Sequence, residues 1–196
     1  MILEVLRFPD PRLRKKAKPI SKVSSELKSL AENMLETMYE FKGIGLAATQ
    51  VGQEVQLLVM DTRPKENGRY KAEDQSELES AVAQPVVIFN PQIVNKEGET
   101  TFDEGCLSVP GYFETVNRFD YVEVKGLDIH GKELVIKADG LISICLQHEM
   151  DHLEGKLFID RLSIIRANRL KNKIKKNGYP KPEDLLNHED DEEIKI

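Results

Sequence analysis

The chain has 196 residues, 40% hydrophobic and 32% charged, which fits one soluble globular domain with a sizeable core. No apolar run approaches the ~20 residues of a membrane helix, and two cysteines cannot build a disulfide framework. The net charge of −6 is uneven: residues 180–196 hold seven acids against two lysines, whereas 162–178 hold six cations and no acid.

Residues 1–22 carry Pro9, Pro11 and Pro19 with little periodicity and read as an extended, wrapping arm. Their apolar stretch precedes the basic residues, the reverse of a secretory signal, so a reducing cytoplasm is the expected compartment, with one disulfide left open. A helix is predicted over 24–42, capped by Ser24 or Ser25, with Leu27, Leu30, Met34, Leu35, Met38 and Phe41 as its apolar stripe and Gly43 as its stop. GIGLAATQVG (43–52) reads as a small-residue turn and VQLLVMD (55–61) as a strand. The charged, turn-rich stretch 63–85 reads as an exposed loop or insertion. VVIFNPQIV (86–94) reads as a strand interrupted by Pro91, and 121–129 with 132–138 as a β-hairpin turning at His130-Gly131. Asp139 can cap a helix over 140–154 that stops at Gly155, and a last helix covers 163–177.

QHEMDH (147–152) puts His148 and His152 four apart, on one face of that helix, with Glu149 between them. This is the H-E-x-x-H pattern of metal hydrolases. A catalytic site takes three protein ligands and keeps one position open, so a third ligand must lie elsewhere. The extended pattern H-E-x-x-H-x-x-G-x-x-H is matched through Gly155 but ends on Phe158. His130 falls in a hairpin turn and His188 in the acidic tail, as do Glu183 and the later acids. Cys145 shares the helix face, yet it stands about 10.5 Å along the axis from His152, too far for one tetrahedral ion. It reads instead as a small buried hydrophobe lining the space beside the ion. Cys106, in EGCLSVP at the end of a predicted strand and flanked by Gly105 and Pro110, could point across at the helix and complete a Cys-His-His set with one open position. Taken alone, an inert buried cysteine is the simpler reading.

Three stretches occur in order: GIGLAATQ (43–50), EGCLS (104–108) and QHEMDH (147–152). Together they resemble the motifs of peptide deformylases, a likeness spanning roughly residues 1–165. The resemblance implies a metal-dependent hydrolase that removes the N-terminal formyl group from formyl-methionine on newly made chains. It implies Cys106, His148 and His152 as ligands of one Fe2+, with Zn2+, Ni2+ or Co2+ as substitutes; the residue types alone suggest zinc. Glu149, beside but not on the ion, would carry the proton. Gln50 and the backbone N–H of Leu107 would stabilise the oxyanion. Main-chain groups of Ile44, Gly45 and Gly105 would pair with an extended peptide. Ile44, Leu141, Ile144 and Cys145 would line an unbranched apolar pocket for methionine.

The expected architecture is α+β: mixed or antiparallel sheets around a central H-E-x-x-H helix, with a C-terminal helix. The expected organisation is a catalytic domain over 1–162, a basic helix over 163–178 and an acidic, flexible tail over 179–196. The basic helix could meet ribosomal RNA, against the alternative of a solvated face neutralised by the tail. Nascent formyl-methionyl peptides are the expected partners, with no DNA and no membrane. The rival readings are a structural or redox-sensing metal site and a general zinc peptidase.

Overall fold

The computed structural model describes residues 1–64 and 70–180. The acidic tail, including His188, lies outside the described residues beyond Pro180, as do five residues of the 63–85 stretch.

Helix α1, Ser25–Glu40, is capped by the Ser24 side chain, which accepts the Leu27 N–H. Its inward face is Ala31, Met34, Thr37 and Met38; Phe41 lies past its end and is exposed, unlike the predicted stripe. Strands β1 (Gly45–Ala47) and β2 (Leu57–Met60) follow, then the short helix α2 (Glu77–Ala81). Strand β3 (Val86–Glu97) runs on through Pro91, because the ladder with β6 (Tyr121–Leu127) shifts register between Phe89 and Gln92. Asn90, with φ of +50°, forms this bulge, so the missing proline N–H is accommodated. Strand β4 (Thr100–Glu104) leads up to Cys106 as expected, and it pairs with β5 (Glu114–Arg118), which the sequence reading did not anticipate, as a separate two-stranded sheet. Strand β7 (Glu133–Ala138) completes the predicted hairpin with β6, and His130 sits exposed in its turn. Helix α3 is Gly140–Leu153 and helix α4 is Ile164–Asn177.

The main sheet is antiparallel in the order β1-β2-β3-β6-β7. Period-two alternation explains its burial on both faces at β2. Leu58 and Met60 join the cluster around α3, whereas Leu57 and Val59 join the cluster around α1. Helix α3 is buried nearly all round, its apolar Leu141, Ile142, Ile144, Cys145, Leu146 and Leu153 alternating with buried polar Ser143, Gln147, His148, Glu149, Asp151 and His152. A third cluster unites Cys106, Val109, Tyr112, Val116, Leu157, Phe158 and Ile159 with Ala167, Leu170 and Ile174 of α4. The fold is α+β, with the H-E-x-x-H helix at its centre.

The N-terminal arm does wrap, and main-chain bonds hold it. Leu6 N–H donates to Gln50 O, Phe8 N–H to Ser108 O and Ala17 N–H to Leu153 O, at 2.8, 2.9 and 2.8 Å. The arm thus ties together the three segments that carry the motifs. At Gly155, φ is +73° and a Cβ would stand 2.5 Å from the Arg14 carbonyl oxygen, so only glycine lets the arm pass the end of α3.

Candidate metal centre and active site

Three donors from two elements converge. Cys106 Sγ lies 3.3 Å from His152 Nε2, which lies 3.2 Å from His148 Nε2. The ligand atoms of Cys106, His148 and His152 all fall within 4.8 Å of one another, and all three residues are buried. Cys145 is buried too, but its thiol turns to the Ile44 carbonyl at 3.7 Å, outside this group. Phe158, where the extended pattern would place a histidine, stacks beside the His148 ring with centroids 6.3 Å apart.

Glu149 is fully buried, and neither of its carboxylate oxygens has a hydrogen-bond partner among the described residues. Burial, and then the negative Glu104, raise its carboxyl well above the usual range. Gly45 permits the close approach of β1 to this carboxylate, since a Cβ there would meet Glu149 Oε1 at 2.4 Å and Cys145 Sγ at 2.8 Å. Burial, and then the Glu149 charge, also push the Cys106 thiol upward. A cation at the shared focus is what would hold that sulfur as a thiolate. Burial, followed by His148, lowers His152, which favours the neutral, ligating imidazole. One soft sulfur, two imidazoles and an unpartnered buried carboxylate beside them fit a divalent ion with an open position.

A ring of buried charge orients these groups. Glu104 Oε2 stands 2.8 Å from His148 Nδ1, so His148 can present Nε2 to the focus. The other side of Glu104 is gripped by Arg118, whose Nε and Nη2 donate at 2.5 and 2.8 Å. Arg118 Nη1 reaches Asp151 at 2.6 Å, and Arg161 holds Asp151 from outside with two more bonds. Burial opposes the charge on Glu104, but the bonds from Arg118 and His148 outweigh it, and its carboxyl falls below the usual range. Asp151 behaves alike: burial opposes its charge, while Arg161 and Arg118 hold it low.

The remaining predicted residues are close by. Gln50 accepts the Ala47 N–H on Oε1 at 2.7 Å, which turns its Nε2 toward Ser108 Oγ (3.2 Å) and Cys106 Sγ (3.6 Å). Leu107 follows Cys106 directly and is buried. Ile44, Leu141, Ile144 and Cys145 share one apolar cluster, on which Phe102 also packs. Gly105, between Glu104 and Cys106, lies against the Phe113 ring. The sequence reading missed Glu104, Arg118, Asp151 and Phe102. Strand alternation could have put Phe102 and Glu104 on one face of β4, but nothing local marks Arg118 as the partner of Glu104.

The fold and the donor set define a hydrolase of the metal-dependent H-E-x-x-H kind. Residues 2–168 match the Polypeptide deformylase family. Peptide deformylase 1 of Shewanella oneidensis is 48% identical over 175 residues, covering 89% of this chain and 95% of that protein. The crystal structure of peptide deformylase from Ehrlichia chaffeensis superposes with a TM-score of 0.81 at 38% identity, covering 90% of this chain and 96% of that one. A structure of the Ehrlichia protein in complex with actinonin gives 0.79, also at 38% identity, over 91% of this chain and 99% of that one. The chain belongs to the peptide deformylase family.

Because the Glu104 and Asp151 carboxyls are depressed in the fold, the stability they lend is present above the unfolded carboxylate range and is lost as pH falls through their lower folded values. Resistance to chemical denaturant is expected to fall below about pH 4. Arg118→Met is expected to cost about 3–5 kcal/mol at pH 7 by leaving Glu104 and Asp151 short of a partner, and to shallow that acid limb. An Arg118→Met protein as stable as the parent would refute the role of the ring.

Proposed function

We propose that this chain hydrolyses the formamide of N-formyl-methionyl peptides from newly made proteins, releasing formate. The ion would sit on Cys106, His148 and His152; the convergence of these three donors beside unpartnered Glu149 is the observation that carries the reading. Fe2+ is the proposed native metal, by resemblance to the family, with Zn2+, Ni2+ or Co2+ able to replace it. When bound, the ion would polarise the formyl carbonyl and bring the ionisation of water at the site toward neutral pH.

The chain's own groups then have separate roles. Glu149 takes the proton of the attacking water and delivers it to the amine nitrogen as the C–N bond breaks. Gln50 Nε2, its direction set by the Ala47 bond, and the Leu107 N–H donate to the developing oxyanion. Among the described residues, strand β1 is an edge of the main sheet and β4 pairs only with β5. An extended peptide can therefore add between Gly45 and Gly105. The Ile44 carbonyl already accepts the Asp61 N–H at 2.8 Å, so by ladder alternation the Gly45 N–H and C=O face the open edge. Ile44 contributes its side chain, with Leu141, Ile144 and Cys145, to the methionine pocket. Closure of one end around formyl separates this reading from a general peptidase.

Catalysis is assigned to residues 1–162, with the basic segment 163–178 and the tail 179–196 as an extension. The cytoplasm fits two buried free thiols. No helix among the described residues is long and apolar enough to cross a membrane. The exposed cations of α4, Arg169, Lys173, Lys175 and Lys176, suit contact with ribosomal RNA.

Anaerobic Fe2+-loaded protein is expected to release formate from formyl-Met-Ala and nothing from acetyl-Met-Ala. Glu149→Gln should keep its metal and lose about 10²–10⁴-fold in kcat. A loaded, folded wild type that releases no formate would sink the reading. For the ribosome, charge reversal is a cleaner test than deletion, because α4 also covers the Cys106 cluster. Arg169→Glu with Lys175→Glu and Lys176→Glu should abolish co-sedimentation with ribosomes at low salt and leave formate release intact. Undiminished co-sedimentation would refute the docking.

A further inference from the structure

Residues 70–82, expected to be surface, place a carboxylate at the start of the helix that carries the site. Glu79 is 1% exposed. Its Oε1 accepts the N–H of Ile142 at 3.1 Å, one of the donors that the first turn of α3 cannot satisfy itself. Its Oε2 accepts from Ser76 N–H at 3.2 Å and from the Tyr70 hydroxyl at 2.5 Å. Burial, and then the bond to Glu79, raise the Tyr70 phenol, which keeps it a donor. Asp139 occupies the predicted cap position, but its carboxylate is taken by the Ser76 hydroxyl and makes no cap bond to the helix. Gly140 makes room: a Cβ there would lie 2.6 Å from the Glu79 carboxyl carbon, at a φ of +53°. Tyr70 and Val82 pack on the same apolar cluster as Leu141, Ile144 and Cys145.

We propose that Glu79 is a positioning residue, a cap supplied from outside α3 that holds its first turn, and with it the Leu141–Ile144–Cys145 wall of the side-chain pocket, against β1. The proposal rests on the methionine pocket assigned above. His148 lies about two turns beyond Leu141 and is held separately by Glu104. Losing the cap should therefore loosen the pocket wall and leave the donor focus in place. The effect falls on substrate affinity and side-chain preference rather than on the chemical step.

Formate release is measured for wild type, Glu79→Ala, Glu79→Gln and Tyr70→Phe on formyl-Met-Ala-Ser and formyl-Ala-Ala-Ser, with hydrogen exchange at the Ile142 amide. Glu79→Ala should raise KM for the methionine peptide about tenfold, the effect of one lost buried bond, with kcat within about twofold. KM for the alanine peptide, whose side chain stops short of the wall, should stay within about twofold, and Ile142 exchange should quicken about tenfold or more. Glu79→Gln keeps an acceptor oxygen and should restore most of the preference. Tyr70→Phe, which removes the bond to the carboxylate and a longer contact to the Asp74 carbonyl at 3.5 Å but nothing on α3, should shift KM the same way by about two- to threefold. Unchanged KM and preference in a folded Glu79→Ala protein would overturn the proposal. So would equal losses on both peptides with no rescue by Glu79→Gln. If Glu79→Ala does not fold, a Tyr70→Phe enzyme identical to wild type overturns it. A wild type with no preference for methionine over alanine refutes the pocket assignment instead, and the proposal with it.

Discussion

Cys106 Sγ and His152 Nε2 stand 3.3 Å apart, and most of the molecule serves that contact. The histidine pair follows from α-helical geometry alone, but the sulfur arrives from a loop 46 residues away. Three constraints bring it in. The Ser108 N–H turns back onto the Cys106 sulfur at 3.4 Å, and the N-terminal arm clamps the Gln50 and Ser108 carbonyls side by side. Helix α4 then covers the cluster in which Cys106 is buried. A donor set buried this way is dry, so charges developing there are weakly screened.

The charged ring around Glu104 explains how polar groups survive in that setting. Isolated, a buried carboxylate is costly, and paired on both sides it is tolerable. Glu104 is bonded by His148 and Arg118, and Asp151 by Arg118 and Arg161. Glu149 lacks such partners and stands apart, which suits a group that must gain and lose a proton. Glu149 and Asp151, two residues apart on α3, thus take opposite roles because one face of the helix meets arginines and the other meets β1.

What could be read from the sequence was the local part. Helix α3, the hairpin β6–β7 and the i, i+4 histidines follow from periodicity and turn chemistry, and the misfit of Cys145 follows from helical rise. The assignment of Cys106 came through resemblance, since no spacing rule links residue 106 to residue 148. Strand β5, the partner of the strand that leads to Cys106, was missed because Glu114 and Asn117 lower strand propensity. Arg118, Phe102 and Glu79 were missed because each acts on an element far from it in the chain. A charged residue in a charged stretch reads as solvated until its partner is seen. The 63–85 stretch is the sharpest case, since one residue of an apparent surface loop caps the central helix.

Iron-edge X-ray absorption on anaerobically Fe2+-loaded protein tests the three-donor centre most directly. One sulfur scatterer is expected among nitrogen and oxygen neighbours, lost in Cys106→Ser and retained in Cys145→Ser. A wild-type spectrum without sulfur, or a sulfur shell that survives Cys106→Ser, would contradict the three-donor centre.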